Sequence, residues 1–301
     1  MSQASTPTTP KTAGEMVQMA RAFLERKGVS EARLESELIV GHALGLTRLQ
    51  LFMQLDRPLA KTEIDAAREL LVRRGKREPL AYITGEREFY GRSFRVGSGV
   101  LVPRPETEHL VDRAREIAKE RAKRGDPVQA IADLGTGTAC IAVTLALEIP
   151  GAAVVAVDKS PLALAFAREN AAKLSATVEF HEGDGFATLT WIVRERGRGF
   201  DLVCSNPPYI PRRDRPTLEP EVRDHEPELA LFAPDEDPDH FVRRLLTEGR
   251  GWLAPGGTIL VELGHDQAPR VRALAALNGV AIRIHRDYGG HDRVLEILPT
   301  V

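Results

Sequence analysis

Beyond residue 105, apolar segments of strand length alternate with longer stretches in which apolar residues recur at helical spacing. This alternation is typical of a parallel sheet, because each helix carries the chain back across one face of the sheet before the next strand. The sequence therefore predicts an α/β fold with a doubly wound, mostly parallel sheet of seven strands, whose ligand crevice lies where the central strands end. The strands are expected at Ala130–Asp133, Ala153–Asp158, Thr177–His181, Asp201–Ser205, Thr258–Leu263, Ala281–His285 and Arg293–Ile297.

The part of the chain before residue 105 has a different pattern. Apolar residues at helical spacing predict a small helical domain over residues 13–84, preceded by a disordered tail over residues 1–12. Aromatic residues around a glycine predict a linking β-hairpin within residues 85–104. Residues 105–301 then form the α/β domain, in which the segment 212–239, rich in Pro, Asp and Glu, is expected to be a long loop.

Charge and apolar content limit what the chain can bind. With 41 basic and 43 acidic residues the net charge is −2, which provides no general field for nucleic acid or an anionic membrane. The basic cluster Arg73–Arg77 is interpreted as a solvated helix end, with a docking patch for an acidic or RNA partner as the alternative. No apolar segment has the length that a bilayer span needs, and the start of the chain has no hydrophobic signal core. We therefore expect a monomer in the cytoplasm without membrane contact.

Cysteine and histidine offer little chemistry in this sequence. Cys140 and Cys204 are too few for a disulfide framework or a cysteine-based zinc site, and their apolar neighbours indicate buried packing residues. The histidines show no metal-ligand spacing. We expect no metal.

A glycine turn follows the first predicted strand and precedes a helix. Glycine at two positions allows the backbone to turn sharply and approach a ligand, while the helix start presents free N–H groups. A dinucleotide fingerprint would require a third glycine at Cys140, so a small nucleoside without a pyrophosphate is favoured, although a simple tight turn explains the glycines equally well. The residues expected to bind this ligand are Gly135, Thr136, Gly137, Thr138 and Ala139.

Two acidic residues at the ends of later strands strengthen this prediction. Asp158 follows Gly137 by about 20 residues, the distance at which a carboxylate can accept hydrogen bonds from both ribose hydroxyls. Its alternative role as a helix N-cap is already filled by Ser160. Asp184 is expected to accept from an adenine amine, with Phe186 beside it as an apolar surface, and an Asx turn is an equally good interpretation of Asp184.

The segment Asn206-Pro207-Pro208-Tyr209 follows the fourth predicted strand. Consecutive prolines fix φ and lack N–H donors, so the turn presents rigid carbonyl acceptors. A planar NH₂ group can donate one hydrogen bond to the Asn206 side-chain oxygen and one to the Pro207 carbonyl, while Tyr209 stacks on it. These acceptors orient a poorly nucleophilic nitrogen and stabilise the positive charge that methylation develops on it. Asn206, Pro207 and Tyr209 are therefore the predicted catalytic residues, and all four bind the substrate. A proline pair that merely ends a buried strand is the alternative.

At these residues the chain resembles class I methyltransferases, which have a Rossmann-like fold, and more narrowly the release-factor glutamine methyltransferase family, the HemK or PrmC group. The resemblance extends to the segments 33–35, 79–85, 89–94 and 101–108. It implies that S-adenosylmethionine binds against the glycine turn, Asp158, Asp184, Gly185, Phe186 and Asn206. It also implies that the acceptor is the glutamine in the Gly-Gly-Gln loop of class 1 peptide chain release factors, methylated on its side-chain amide nitrogen, N5. The helical domain would help to hold that factor.

This sequence departs from the family at two positions. Ala139 replaces the third glycine that is common in the turn, and Gly185 stands where a large aromatic residue often contacts adenine. Neither change removes an essential acceptor. A weaker cofactor affinity, or adenine stacking on Phe186, is the expected consequence.

Three other functions remain open from the sequence. A nucleic-acid amino methyltransferase would present the same planar NH₂ to the tetrapeptide, but the balanced charge predicts no stable nucleic-acid binding. The motifs alone do not exclude a glutamine methyltransferase of a ribosomal protein. A non-catalytic module that binds S-adenosylmethionine would require a disabled tetrapeptide, whereas Asn206 and Tyr209 are intact.

Overall fold

A computed structural model describes residues 9–299 and contains two compact units. Within these residues, one unit comprises residues 9–85 with Glu219–His225, and the other comprises Glu86–Leu218 with residues 226–299. This division differs from the predicted domains in two respects. The hairpin predicted as a linker belongs almost entirely to the second unit, and a short piece of the predicted α/β domain belongs to the first.

The beginning of the described chain is more ordered than we predicted. Residues 1–8 of the predicted disordered tail lie outside the described residues. Thr12, in contrast, forms a β-bridge with Pro58, and its side chain accepts a hydrogen bond from the Glu15 N–H. This bond caps the first helix, so regular structure starts just before the predicted boundary at residue 13.

The first unit is helical, as predicted. Its apolar faces form one core that includes Leu24, Ile39, Leu51 and Leu71. The helix α3 starts at a capping box in which Thr47 and Gln50 exchange hydrogen bonds. The helices are α1 (Ala13–Arg26), α2 (Ala32–Ala43), α3 (Arg48–Phe52), α4 (Lys61–Gly75) and α5 (Leu80–Thr84).

The basic cluster at the end of α4 is neutralised within this unit. Glu221, which belongs to the unit although it lies far along the chain, contacts the guanidinium groups of Arg74 and Arg77 at 2.7 Å each. Arg74 is only 4% exposed, so the interpretation of the cluster as a solvated helix end is wrong at this residue. The paired carboxylates also reduce the charge that an RNA or acidic partner would meet. The pairs are Arg73–Glu78, Arg74–Glu35, Arg74–Glu221 and Arg77–Glu221.

The second unit contains the sheet. A two-stranded hairpin, β1 (Glu86–Phe89) and β2 (Arg92–Arg95), precedes it and buries Phe89 and Phe94 in the same core as the sheet helices. Asn170 secures the hairpin by accepting from the Arg95 N–H and donating to the Arg95 carbonyl. The hairpin is therefore part of the sheet unit rather than an independent linker.

The sheet has seven strands, as predicted. They are β3 (Ala130–Leu134), β4 (Ala153–Asp158), β5 (Glu179–Glu182), β6 (Phe200–Ser205), β9 (Leu253–Glu262), β10 (Ile282–Arg286) and β11 (Asp292–Ile297), and a separate short pair consists of β7 (Ile210–Pro211) and β8 (Phe232–Ala233). The order across the sheet is β10-β11-β9-β6-β3-β4-β5. The pairs that contain β11 are antiparallel and all others are parallel, which confirms the doubly wound, mostly parallel sheet.

One strand is longer than predicted. β9 begins at Leu253 rather than Thr258, because the glycine-containing segment between them continues to pair with β6 across a register shift. Gly199 permits this approach, since a Cβ there would lie 2.4 Å from the Leu253 carbonyl carbon. Gly199 therefore serves the close packing of two backbones.

The segment 212–239, which was predicted to be a long loop, contains regular secondary structure. It contains a 3-10 helix at Arg212–Thr217, two short α-helices and β8. Its short helices begin at Pro220 and directly after Pro227, residues that suggested an unstructured loop but also favour the first turn of a helix. The remaining helices of the chain are α6 (Glu108–Lys123), α7 (Cys140–Glu148), α8 (Pro161–Lys173), α9 (Gly185–Arg196), α10 (Pro220–His225), α11 (Glu228–Leu231), α12 (His240–Glu248) and α13 (Ala268–Leu277).

Candidate functional site

The carboxyl ends of the central strands lie side by side. Leu134, the last residue of β3, is in register with Val157 on one side and with Ser205 on the other. The Ser205 hydroxyl donates to the Leu134 carbonyl at 2.8 Å, and Ser205 is also in register with Val261 of β9. The glycine turn and the tetrapeptide, which continue from β3 and β6, therefore start at the same edge of the sheet.

The glycine turn has the backbone conformation that its sequence predicts. Gly135 and Gly137 have φ values of +73° and +55°, which glycine adopts without a steric penalty. A Cβ at either position would meet nothing within 4 Å, so the turn borders open space. Both the Gly135 N–H and the Thr136 N–H donate to the Val157 carbonyl, which fixes the start of the turn against β4.

Ala139 occupies a left-handed position. Its φ of +62° explains why glycine is favoured at this point of the turn, because a Cβ in this conformation costs about 1–2 kcal/mol. The Ala139 side chain is fully buried. Burial of the methyl group offsets part of the strain, so the turn keeps its shape without the third glycine.

Asp158 holds the glycine turn rather than a helix end. Its Oδ2 accepts from the Gly137 N–H at 2.8 Å, and its Oδ1 accepts from the Ser160 N–H at 2.9 Å. Ser160 itself caps α8 by accepting from the Ala163 N–H, as the sequence indicated. Each oxygen of a carboxylate can accept two hydrogen bonds, so Asp158 retains capacity for a bound hydroxyl.

The side chains of Thr136 and Thr138 turn into the protein. The Thr136 hydroxyl donates to Asp133 Oδ2 at 2.6 Å, and Thr138 is 2% exposed. The Thr138 carbonyl accepts from Asn170 Nδ2 at 3.0 Å. These two predicted cofactor residues can therefore contact a ligand only through their backbone.

Asp133 is a functional candidate that the sequence prediction missed. It is fully buried beneath the turn, accepts from the Ala142 N–H at the start of α7, and has no hydrogen-bond partner for Oδ1 among the described residues. Burial raises the pKa of its carboxyl to about 7. A single acid in an otherwise apolar strand was the signal in the sequence.

Of the two side chains predicted to contact adenine, only Asp184 is exposed. Asp184 is exposed at the start of α9 and accepts from the Phe186 N–H, as in the Asx-turn alternative. The Phe186 ring is buried, 5.2 Å from the Trp252 ring and 3.7 Å from the Arg244 guanidinium carbon, so it offers no free apolar surface. The prediction for the Phe186 side chain is therefore wrong, because its helix directs the ring into the core.

The Leu134 side chain packs closely against Gly185. A Cβ at this position would lie 1.9 Å from Leu134 Cδ1. The Leu134 side chain therefore fills the space in which an aromatic residue at position 185 would begin. At this departure from the family pattern, the space beside the backbone is therefore occupied by the Leu134 side chain.

The side-chain amide nitrogen of Asn206 has a hydrogen-bond partner. Asn206 Nδ2 donates to Thr107 Oγ1 at 3.3 Å, and the Thr107 hydroxyl donates to Glu262 Oε2 at 2.5 Å. Thr107 and Glu262 are each 2% exposed. This leaves the amide oxygen of Asn206 as the acceptor that the predicted chemistry requires.

Tyr209 lies against the backbone that follows β9. A Cβ at Gly264 would be 3.0 Å from Tyr209 Cδ2, so only glycine leaves the ring its full space. The Gly264 N–H donates to the side chain of buried Gln267, which in turn donates to buried Asp239. Burial raises the pKa of the Tyr209 phenol to about 12, so it is neutral at physiological pH.

Arg104 forms an ion pair with Glu226 in the same unit. Its guanidinium Nη2 lies 2.7 Å from Glu226 Oε2, and the glutamate is 6% exposed. Burial raises the pKa of Glu226, while the charge of Arg104 opposes that shift. Glu106, two residues further along the chain, is exposed.

The two cysteines are packing residues. Both thiols are buried, and burial raises the pKa of Cys140 to about 12 and that of Cys204 well above its usual value. Among residues 9–299, no group of three or more His, Cys, Asp or Glu side chains is arranged to hold a metal ion. In the same part of the chain, no helix combines the length and the apolar character that crossing a bilayer requires.

Two models of known protein families match this chain. The model for the PrmC N-terminal domain matches residues 15–85, and the model for the methyltransferase small domain matches residues 110–218. The hMettl16 catalytic domain in complex with MAT2A 3'UTR hairpin 1 has a TM-score of 0.53 at 14% identity, covering 78% of this chain and 80% of that chain. At this identity, the structural likeness shows the fold alone.

Two relatives carry the same name. The release factor glutamine methyltransferase of Geobacter sulfurreducens is 41% identical over 285 residues, which cover 94% of this chain and 95% of the relative. That of Chlorobaculum tepidum is 39% identical over 286 residues, which cover 94% and 96%. Identity of this extent over both units, together with the tetrapeptide at the end of β6, shows that the chain belongs to the release factor glutamine methyltransferase family.

Proposed function

We propose that this protein transfers a methyl group from S-adenosylmethionine to the side-chain amide nitrogen, N5, of the glutamine in the Gly-Gly-Gln loop of class 1 peptide chain release factors. The observation that carries the proposal is the hydrogen bonding of the Asn206 side-chain amide. Its amide nitrogen is bound to Thr107, so its oxygen is available to accept from a substrate amide. The carbonyl of Pro207, fixed by the proline ring that follows it, is the second acceptor.

The residues of the glycine turn fit S-adenosylmethionine. Open space over Gly135 and Gly137 admits a ligand close to the backbone, and Asp158 keeps acceptor capacity for ribose hydroxyls. The unpartnered Oδ1 of Asp133 lies beneath the same turn. Backbone groups of residues 135–139, with Asp158, Asp184, Gly185 and Asn206, would hold the cofactor. Bound S-adenosylmethionine supplies an electrophilic methyl group on a positively charged sulfur.

The tetrapeptide makes a poor nucleophile competent by positioning it. The lone pair of an amide nitrogen is delocalised, so the nitrogen must be held in line with the methyl group and its rehybridisation must be favoured. Hydrogen bonds from the substrate NH₂ to Asn206 and Pro207 do both, and the neutral Tyr209 ring covers the amide plane. Because the acceptors are fixed dipoles, they stabilise the positive charge that develops on nitrogen without reorganising. The nitrogen then releases one proton to solvent.

In this proposal, the glycine turn and the tetrapeptide affect different quantities. Asp158 and the glycine turn determine the affinity for the cofactor, whereas Asn206 and Tyr209 determine the rate of transfer. Two basic residues that a nucleic-acid substrate could contact, Arg212 and Arg215, both form ion pairs with Glu228. This pairing reduces the positive charge that a nucleic acid would meet.

The test is transfer of a labelled methyl group from S-adenosylmethionine. Purified release factor, its variant with Gln replaced by Ala in the Gly-Gly-Gln loop, a ribosomal protein fraction and duplex DNA are offered to the parent enzyme and to Asn206→Ala. We expect label on the intact release factor only, and only with the parent enzyme. Label on DNA or on a ribosomal protein instead would overturn the substrate assignment, and absence of label on every substrate would overturn the enzymatic proposal.

A further inference from the structure

We propose that Thr107 and Glu262 are positioning residues that hold the Asn206 amide in the one orientation that accepts the substrate. This inference rests on the proposed function, because it concerns the same acceptor site. Neither residue was among the predicted site residues. Thr107 lies at the end of the 3-10 turn Pro105–Thr107, and Glu262 is the last residue of β9.

The direction of the hydrogen bonds carries the inference. A hydroxyl group has one proton, and Thr107 donates it to Glu262 Oε2 at 2.5 Å. Thr107 Oγ1 can then only accept from Asn206, which must present its Nδ2 at 3.3 Å and not its oxygen. A flip of the Asn206 amide would place two acceptors against each other. The ionised carboxylate thus specifies, through Thr107, which end of Asn206 faces the substrate.

Burial makes this specification strong. Thr107 and Glu262 are each 2% exposed, so solvent competes weakly with the two bonds. Ser205, which precedes Asn206, is in register with Val261, which precedes Glu262. Pairing of β6 with β9 therefore brings Asn206 and the carboxylate to one level, and the start of α6 brings Thr107 between them.

Protonation of Glu262 would reverse the direction of its hydrogen bond with Thr107. A protonated carboxyl donates to Thr107 Oγ1, which frees the Thr107 proton to be donated to the Asn206 oxygen. Burial raises the pKa of Glu262 to about 7, and Glu106 adds to this effect, whereas Arg104 and Arg293 oppose it. Tyr209 and Cys140 also face this carboxyl but remain neutral, because burial raises the pKa of each to about 12. Glu262 therefore specifies the acceptor orientation above this pKa and ceases to specify it as the pH falls through about 7.

The experiment compares Thr107→Val, which is nearly isosteric but lacks the hydroxyl, with Thr107→Ser, which keeps it. The kcat for methyl transfer to release factor, the Kd for S-adenosylmethionine and the melting temperature are measured for each full-length variant. We expect Thr107→Val to lower kcat about tenfold, the effect of losing one buried hydrogen bond, with Kd unchanged. Thr107→Ser is expected to retain at least half of the parent kcat. A folded Thr107→Val enzyme with the parent kcat would overturn the inference.

The pH profile separates positioning from a merely structural role. In the parent enzyme kcat is expected to fall as the pH is lowered from 8 to 6, and Glu262→Gln, which cannot ionise, is expected to remove that dependence. Glu116→Gln is the control and should keep the parental pH dependence, because Glu116 is an exposed acid on α6 that pairs with Arg113 and not with Thr107. If Glu262→Gln keeps the parental pH dependence, the inference fails.

A readout without the substrate distinguishes this inference from the proposed function. The Asn206 side-chain amide protons, assigned in NMR spectra by their absence in Asn206→Ala, are expected to exchange slowly with water in the parent enzyme. Thr107→Val should speed this exchange at least about tenfold. If the exchange rate does not change, the positioning inference fails. If the parent enzyme leaves release factor unlabelled, the proposed function fails, whatever the exchange shows.

Discussion

The glycine turn after β3 and the tetrapeptide after β6 lie at the same edge of the sheet but are held in different ways. The turn is held mainly by backbone groups: Gly135 and Thr136 donate to a carbonyl of β4, and Gly137 donates to Asp158. The tetrapeptide is held by side chains from other elements, since Asn206 depends on Thr107 and Tyr209 packs against Gly264.

This difference separates affinity from reaction rate. A turn built from backbone conformation tolerates changes in its side chains, as Ala139 shows by occupying a left-handed position that favours glycine. The tetrapeptide has less tolerance, because a hydrogen bond that orients an amide is either present or absent. Changes on the turn side should therefore act on cofactor binding, and changes on the tetrapeptide side should act on kcat.

The largest effect is expected for Asn206→Ala. Removal of a fixed acceptor of the reacting group lowers kcat by about 100- to 1,000-fold. The Kd for S-adenosylmethionine should change less than it does in the turn variant described next. Single-turnover kinetics and calorimetric titration measure the two quantities, and Asn278→Ala, a change at an exposed helix end, is the control. A loss of cofactor affinity as large as the loss of kcat would contradict the assignment of the tetrapeptide to the reaction rate.

Asp158→Ala tests the turn side. Asp158 accepts from the Gly137 N–H and, in the proposed function, from ribose hydroxyls, so its loss should raise the Kd for S-adenosylmethionine by about 10- to 100-fold. At saturating cofactor, kcat should remain within about threefold of the parent value. Glu182→Ala is the matched control, because Glu182 is exposed and in register with Asp158 on the adjacent strand. Equal effects of the two substitutions would contradict a specific role for Asp158.

A smaller effect is expected for Gly264→Ala. The added methyl group would lie 3.0 Å from Tyr209 Cδ2 and displace the ring by a few tenths of an ångström. Because transfer depends on geometry, kcat should fall about three- to tenfold, with the Kd for S-adenosylmethionine unchanged. Gly251→Ala, where a Cβ meets nothing within 4 Å, should leave both quantities at their parent values. Steady-state kinetics of both variants decide the point.

The smallest effect is expected for Ala139→Gly. Relief of the strained φ opposes the loss of a buried methyl group and the greater freedom of the unfolded chain, so the free energy of unfolding should change by less than about 1 kcal/mol. Ala142→Gly, at an equally buried position inside α7, should lower it by about 1–2 kcal/mol. Urea denaturation measures both. A loss for Ala139→Gly as large as that for Ala142→Gly would show that position 139 is not strained.

Much of the fold and part of the site could be predicted from the sequence. All seven sheet strands were located, because apolar runs and helical periodicity act over a few residues. The short helices in segment 212–239 were not predicted, because its prolines were interpreted as loop formers. Proline also favours the first turn of a helix. Phe186 was assigned to the cofactor from its place after a strand, but its ring direction depends on how α9 packs against Trp252.

The sequence by itself determined the glycine turn, the acid at position 158 and the tetrapeptide, because each consists of neighbouring residues whose conformation is local. Only the tertiary structure decided what orients them. Thr107 lies 99 residues from Asn206 and 155 residues from Glu262 along the chain, yet their side chains are hydrogen-bonded. Contacts over such separations arise from strand order and helix packing, and no local pattern encodes them. The chemistry of the tetrapeptide could therefore be predicted from four residues, whereas its orientation required the folded sheet.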